Sequence, residues 1–415
     1  MAVKKIRVCI CSPGVKPIPA LEGGAVEQLV TAVLNKNEEE GNFEFVVYTI
    51  DSKKLESISY INTDIIKIKN RQKFIPIRIK YSFINRIYFL RKKKKHIDYM
   101  SENLPEKVVD PDKYDLIIVE NNAEIFFKIQ KRIKNTKIVF HLHNDFDTIK
   151  SDFDKTSDRM KSIGNIADEI WVASKYLKKR IESLRCKASV QLLENCVNRD
   201  IFNKENVTYK EINDFKDKYN IQDRYFMILF CGRIDREKGV LELLKAVKLL
   251  PSNVKIKVVI VGSQWFGSRT EKKYMSELNQ LSKELEDMVI FTGYIDQENM
   301  PYVYLAADLV IIPTQCTEAF GMVALEAITM GKVCIVSQNG GLNDLINSEC
   351  GIKIVQDYQY VESLSKAIYK LYSNRELLKQ MEKKAIEQSL RFMDEDAYFE
   401  RFRELVDHLV ELKEY

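Results

Sequence analysis

The residues best suited to chemistry sit in the second half of this 415-residue chain. In FCGRIDREKGV (230–240), Gly232 follows an apolar run, Arg233 comes next, and Lys238-Gly239 opens a helical pattern. A guanidinium fork and an ammonium at one strand-to-helix turn suit a multiply charged anion. An ordinary surface turn has the same composition. In TQCTEAFG (314–321), Glu318 precedes Gly321, which starts the helical pattern MVALEAITM (322–330) with Glu326 at its centre. The free amides of a first helical turn favour a phosphate. Glu318 beside them can accept hydrogen bonds from hydroxyls. A carboxylate within an apolar helix, as Glu326 is, must be exposed or hydrogen-bonded, and a diol would bond it. A solvated surface glutamate is the bland alternative.

Two glycine pairs add to this. Gly340-Gly341 in NGGLNDLI allows close backbone approach to a ligand, and Gly23-Gly24 in LEGGAVEQLV opens the first helical pattern. Either pair alone also fits a plain turn.

These residues need elements to hold them. Short β-branched runs at 6–11, 43–50, 114–120, 137–143 and 169–174 alternate with helical patterns at 24–36, 122–134 and 175–184. The rhythm repeats with strands at 226–234, 256–262, 288–294, 309–313 and 333–337, and helices at 239–249, 271–286, 298–306, 321–330 and 360–373. Alternation of this kind predicts an α/β protein of two doubly wound, Rossmann-like domains, with the site between them if they are facing across a cleft. Ligands are then expected beyond the carboxyl ends of the strands. The reading divides the chain into 1–200, 201–390 and a C-terminal helix over 391–415 that packs back on the first domain.

The net charge of +5, from 65 basic and 60 acidic residues, gives no case for nucleic acid. Its distribution is uneven. Lys67 to Lys95 holds twelve Lys or Arg and no Asp or Glu, with apolar residues interleaved. That predicts an anionic membrane surface as partner, above all at Arg91, Lys92, Lys93, Lys94 and Lys95, or else a solvated face. Eight cysteines without a C-x-x-C pair read as reduced thiols in a cytoplasmic protein. No apolar run is long enough to span a bilayer, so the expected location is cytoplasmic, or peripheral on the inner membrane face. No G-x-G-x-x-G follows the first strand, which excludes a dinucleotide dehydrogenase.

Taken together, the motifs resemble a retaining glycosyltransferase of family four, with the two-domain GT-B fold. The matching pattern is Gly232-Arg233, Lys238-Gly239, Glu318-Ala319-Phe320-Gly321 through Glu326, then Gly340-Gly341. The first domain resembles the family more loosely, at Gly23-Gly24, at His143 and in ENCVNRDIF (194–202). Cys196, Asn198, Asn343 and Asp344 depart from the family pattern.

The resemblance implies a nucleotide-diphosphate sugar donor, UDP-linked for preference, and transfer of a hexose-type sugar to a saccharide acceptor, lipid-linked for preference, in surface polysaccharide synthesis. Arg233 and Lys238 would hold the diphosphate, helped by the Gly321 amides, with Phe320 and Met322 also at the donor. Glu326 would take the ribose and Glu318 the sugar. Gly293, Tyr294 and Ile295 would contact the base. Gly23, Gly24, His143 and Asn144 would line the acceptor side. Glu318, His143, Arg233 and Lys238 are the expected catalytic set. No metal and no cofactor are expected. The D-x-D triplets at Asp145–Asp147, Asp152–Asp154 and Asp394–Asp396 read as chance in a charged chain. The alternatives are a non-catalytic nucleotide-sugar-binding partner of another transferase and a 2-epimerase on the same fold.

Overall fold

The computed structural model describes residues 5–71, 74–90, 98–146, 153–263 and 269–411. Two compact units emerge: one takes residues up to Cys196 together with those from Glu395 on, the other Val197–Asp394.

The first unit is built on seven parallel strands, β1 (Ile6–Cys11), β2 (Phe43–Ile50), β3 (Thr63–Ile68), β4 (Leu116–Glu120), β5 (Lys137–Leu142), β6 (Glu169–Val172) and β7 (Ser189–Leu192), in the order 3-2-1-4-5-6-7. Strands β1 and β4 at its centre are buried on both faces, which explains their unbroken apolar runs. The helices between them are α1 (Ala25–Glu40), α2 (Ile75–Leu90), α3 (Tyr99–Lys107), α4 (Ala123–Gln130), α5 (Phe153–Gly164) and α6 (Lys175–Glu182).

In the second unit the strands are β8 (Phe226–Cys231), β9 (Ile256–Val261), β10 (Val289–Gly293), β11 (Leu309–Ile312), β12 (Cys334–Ser337) and β13 (Gly351–Ile354). They too are parallel, in the order 10-9-8-11-12-13. Helices α7 (Tyr209–Lys218), α8 (Val240–Lys248), α9 (Arg269–Glu284), α10 (Met300–Ala306), α11 (Met322–Thr329), α12 (Leu342–Leu345), α13 (Tyr360–Ser373) and α14 (Arg375–Ser389) cover both faces. Strand alternation divides two cores cleanly. Phe226, Ile228 and Phe230 face one, while Met227 and Leu229 face the other.

The C-terminal segment differs from the single helical pattern read from sequence. Residues 390–394 break it, and α15 (Glu395–Glu411) follows. The break has a local cause. Val197 N–H donates to the Met393 carbonyl (3.1 Å), and the Arg199 guanidinium donates to the carbonyls of Ser389 (2.9 Å) and Phe392 (3.3 Å). Helix α15 then belongs to the first unit, where Phe402 lies 6.0 Å from both Phe43 and Phe45 and 5.6 Å from Trp171. Lys36 and Asp396 pair at 2.6 Å, and the Arg401 Nε–H donates to the Leu192 carbonyl.

Strands β3, β7 and β13 were not expected. The basic run Arg91–Lys95, Asp147 and Asp152 lie outside the described residues. Among the described residues no helix is long and apolar enough to cross a membrane.

Phe402 makes the largest aromatic contact set between α15 and the sheet. Phe402→Ala is expected to lower the stability of the first unit by about 3–5 kcal/mol, read in urea by the fluorescence of Trp171. A loss below about 1 kcal/mol would mean that α15 is an ornament of the unit and no part of its core.

Candidate functional site

The turn after β8 in the second unit is shaped by glycines. Gly232 leaves β8 at φ 149°, and a side chain at Gly262, at the matching end of β9, would strike the Gly232 carbonyl oxygen at 1.8 Å. Gly239 lies in the left-handed region at φ 73°, where a Cβ would sit 1.9 Å from the Pro313 carbonyl oxygen. The chain after β8 therefore runs in backbone contact with the chain after β11. The Gln315 N–H and Thr314 hydroxyl both donate to the Glu237 carbonyl, at 2.6 and 3.0 Å. Asp235 caps the short turn Arg236–Lys238 by accepting from the Lys238 N–H at 3.0 Å.

This stitching brings three of the expected residues together. The Lys238 ammonium contacts the Glu318 carboxylate, and both side chains are about four-fifths buried. Burial pulls the ammonium down, but the Glu318 charge outweighs it and holds Lys238 above its ordinary range. Arg233 is half-exposed, 2.9 Å from Asp235 and 3.7 Å from Glu237. The loop of Glu318 is fixed in turn by the double glycine. The Gly341 N–H donates to the Glu318 carbonyl (2.8 Å), and a Cβ on Gly340 would lie 2.0 Å from that oxygen. Gly321, at φ 111°, caps α11, with Leu342 packed where its Cβ would stand.

Phe320 points its ring into the core, 3% exposed and 6.2 Å from Phe392, so only its main chain can meet a ligand. One oxygen of Glu318 is already engaged by Lys238. Glu326 is buried, as its sequence context suggested, but it already has a protein donor. The Tyr304 hydroxyl bonds it at 2.7 Å, and Gln297 also hydrogen-bonds it. Burial outweighs both donors and pushes the carboxyl up to about 7. Tyr304, Gln297 and Gly262 were absent from the sequence reading. The apolar pattern of α10 holds two tyrosines, Tyr302 and Tyr304, and nothing local singles out Tyr304.

Gly293 ends β10 at φ 77°, with open space where a Cβ would be. Tyr294 beyond it is 60% exposed. Tyr294 and Ile295 help line a cavity of about 410 Å³ with Phe215, Tyr219, Asn299 and Tyr302. None of Arg233, Lys238, Glu318 and Glu326 lines that cavity.

The first unit holds its own buried polar cluster. Glu120 ends β4, and its carboxylate lies 2.7 Å from His143 Nε2 and 3.1 Å from His141 Nδ1, on β5 and just past it. Glu120 and His141 are each 2% exposed and His143 6%. Burial and the His141 charge hold His143 below its ordinary pKa, while the two imidazoles outweigh the burial of Glu120 and hold it low. An ionised Glu120 places the His143 proton on Nε2 and leaves Nδ1 as an acceptor. That Nδ1, like His141 Nε2, is buried and has no protein partner. The three side chains are also the one metal-competent set among the described residues, with candidate ligand atoms within 4.8 Å of each other. Hydrogen bonding already accounts for the Glu120 contacts. Asn144 is exposed beside His143. Gly24 caps α1 at φ 110°, its missing Cβ leaving room for the buried Glu27 carboxylate, and Gly23 precedes it at φ 69°.

Of the D-x-D triplets, Asp145 accepts from the Tyr176 hydroxyl, and Asp394 and Asp396 lie near Arg199 and Lys36.

Residues 211–388 match the family model of glycosyl transferases group 1. The lipopolysaccharide 1,2-N-acetylglucosaminetransferase of Salmonella typhimurium is 30% identical over 246 residues, 59% of this chain and 60% of that protein. The chain thus spans less than two thirds of that relative's length. The putative glycosyltransferase YtcC of Bacillus subtilis is 23% identical over 377 residues, covering 89% of this chain and 84% of that one. Among solved structures, Anabaena Alr3699/HepE in complex with UDP and glucose superposes with a TM-score of 0.75 at 16% identity, over 97% of this chain and 100% of that one. At that identity the likeness speaks to the fold, which is GT-B.

Glu326 makes a pH prediction. Its proton is bound more tightly in the native state than the ordinary value of 4.5 allows, so ionisation works against folding. Stability contributed by this group is full below about 4.5 and is lost as pH rises through about 7. Glu326→Gln is expected to gain about 2–3 kcal/mol on the parent at pH 8 and almost nothing near pH 4. Urea unfolding of both proteins at the two pH values checks it. A parent-to-variant difference that does not change with pH would refute the buried-acid account.

Proposed function

We propose, for a chain that belongs through its second domain to the group 1 glycosyltransferases of the family-four type and has the GT-B fold, that it moves a hexose-type sugar from a nucleotide diphosphate to a saccharide. The observation that carries this is the cluster of Arg233, Lys238 and Glu318 against the start of α11. Two cations and the first-turn amides of α11 suit a diphosphate, whose negative charge grows as the glycosidic bond breaks. Contacts that strengthen with that charge lower the barrier. Glu318 would take sugar hydroxyls while still bonded to Lys238. Glu326 would share its carboxylate between Tyr304 and the ribose, and the main chain at Gly293–Ile295 would meet the base.

The reaction is read as retaining, with attack on the face the diphosphate leaves. The carboxylates near the cluster are poor nucleophiles. Asp235 and Glu237 face Arg233, Glu318 faces Lys238, and Glu326 is buried against Tyr304. The departing phosphate is then the base that takes the acceptor proton, and no enzyme-bound glycosyl carboxylate forms. His143, neutral and with Nδ1 free to accept, would hold a sugar hydroxyl in the first domain with Asn144 and the Gly23-Gly24 loop. Phosphate charge is met by side chains and amides, so the reading needs no metal.

For the donor we favour a UDP-linked sugar. For the acceptor we favour a lipid-linked saccharide, on the cytoplasmic side of a membrane. Support for the acceptor class comes from the name of the Salmonella relative, which acts on lipopolysaccharide.

A thermal-shift screen with UDP-, GDP- and ADP-sugars tests the donor, and release of the nucleotide with lipid-linked saccharides tests the transfer. Arg233→Ala and Lys238→Gln are expected to lower kcat/KM by about 10²–10³ and to abolish the thermal shift. Lys238→Gln keeps a hydrogen bond to Glu318, so the loss reports charge at the diphosphate. Full activity in both variants would remove the diphosphate reading.

A further inference from the structure

We infer that the outward face of α2 docks on the surface of an anionic lipid bilayer. The helix is fixed to its unit from the inner side. Tyr81 is 3% exposed, its hydroxyl donates to Glu102 at 2.8 Å, and its ring meets Tyr99 edge-on at 6.4 Å. On the outer side Ile75, Ile79 and Phe83 follow at intervals of four residues and stand 62%, 61% and 64% exposed, with Phe74 at 63% just before them. Residues four apart lie above one another on a helix, so these side chains form one stripe. A globular protein gains nothing by holding such a stripe in water.

Charge identifies what covers it. Arg78 flanks the stripe on one side and Lys80, 3.9 Å from Glu102, on the other, and Arg86 extends its line one turn further; all three are exposed. From Lys67 to Lys95 the sequence has no acidic residue at all. Apolar tips that enter a bilayer between cations that reach its phosphates are the arrangement of an interfacial helix. A second copy of the chain fits badly, because a two-fold contact would set Arg78 and Arg86 against their own images. A peptide or helix partner would need a groove, whereas a single helix ridge suits a deformable surface.

The inference deepens the reading of a lipid-linked acceptor, since it would bring the enzyme to the plane where that substrate lies. Binding is measured without turnover, so its failure and a failure of the transferase reading are separable.

The test is flotation of the full chain with vesicles of phosphatidylcholine, alone or with about a third phosphatidylglycerol. The parent is expected to float with the anionic vesicles and at least about tenfold less with the neutral ones. The double variant Ile79→Asp, Phe83→Asp is expected to bind at least about tenfold less than the parent. Ile79→Leu, Phe83→Leu is expected to bind like the parent. Thermal unfolding, with and without nucleotide sugar, verifies that each variant is folded, as substitution of exposed side chains allows. A parent that never floats overturns the inference, and so does an aspartate variant that floats equally well. A parent that is dimeric in light scattering, becomes monomeric with the aspartates and ignores vesicles assigns the stripe to a second copy instead.

Discussion

The site of the second unit depends on one constraint, which is backbone lying against backbone at the carboxyl ends of its strands. Gly239 touches the Pro313 carbonyl, Gly262 the Gly232 carbonyl, and Gly340 the Glu318 carbonyl, each closer than any Cβ permits. An alanine at any of these points would have to push a main chain aside, not merely a side chain. The close approach lets hydrogen bonds from Gln315 and Thr314 reach Glu237, and from Gly341 reach Glu318. Only then does the Lys238 ammonium, on one loop, meet the Glu318 carboxylate, on another. The ion pair is thus a consequence of the glycines, and the electrostatics of the site follow from a steric fact.

In the proposed reaction that pairing would bear on catalysis. A buried ammonium without a partner would be costly, and one tied too strongly to a carboxylate would have nothing left for a ligand. Lys238 escapes both because it carries three N–H groups and Glu318 takes only part of that capacity. Arg233 is arranged similarly, with Asp235 and Glu237 orienting a guanidinium that stays half-exposed. Pre-oriented cations need little reorganisation when charge develops on a leaving diphosphate.

The sequence disclosed these residues because the local signal is strong. Gly-Arg, Lys-Gly and the spaced glutamates each fall just after an apolar strand run, and strand ends are where an α/β domain keeps its ligands. What it concealed was pairing at a distance. Tyr304 lies 22 residues from Glu326 and Glu120 lies 23 from His143, and no local pattern joins them. Strands β7 and β13 are four residues each and β3 is half-exposed, so the periodic signal was weak. The break before α15 was invisible because the acceptors for Arg199 and Val197 are carbonyls, which every residue has.

The chain's modest net charge of +5 conceals two sets of cations in different surroundings. Arg233 and Lys238 are oriented by named carboxylates, and Lys238 is largely shielded from water, so a rise in salt should screen its attraction for a ligand weakly. The cations along α2 stand in water beside apolar side chains. Their pull on a charged surface is long-ranged, additive and readily screened. The apolar stripe between them supplies the term that salt does not remove. On the proposed reading, in which one set selects a dianion and the other finds a surface, there is reason to keep the two sets apart. Counting charges would merge them, whereas burial and partner geometry tell them apart.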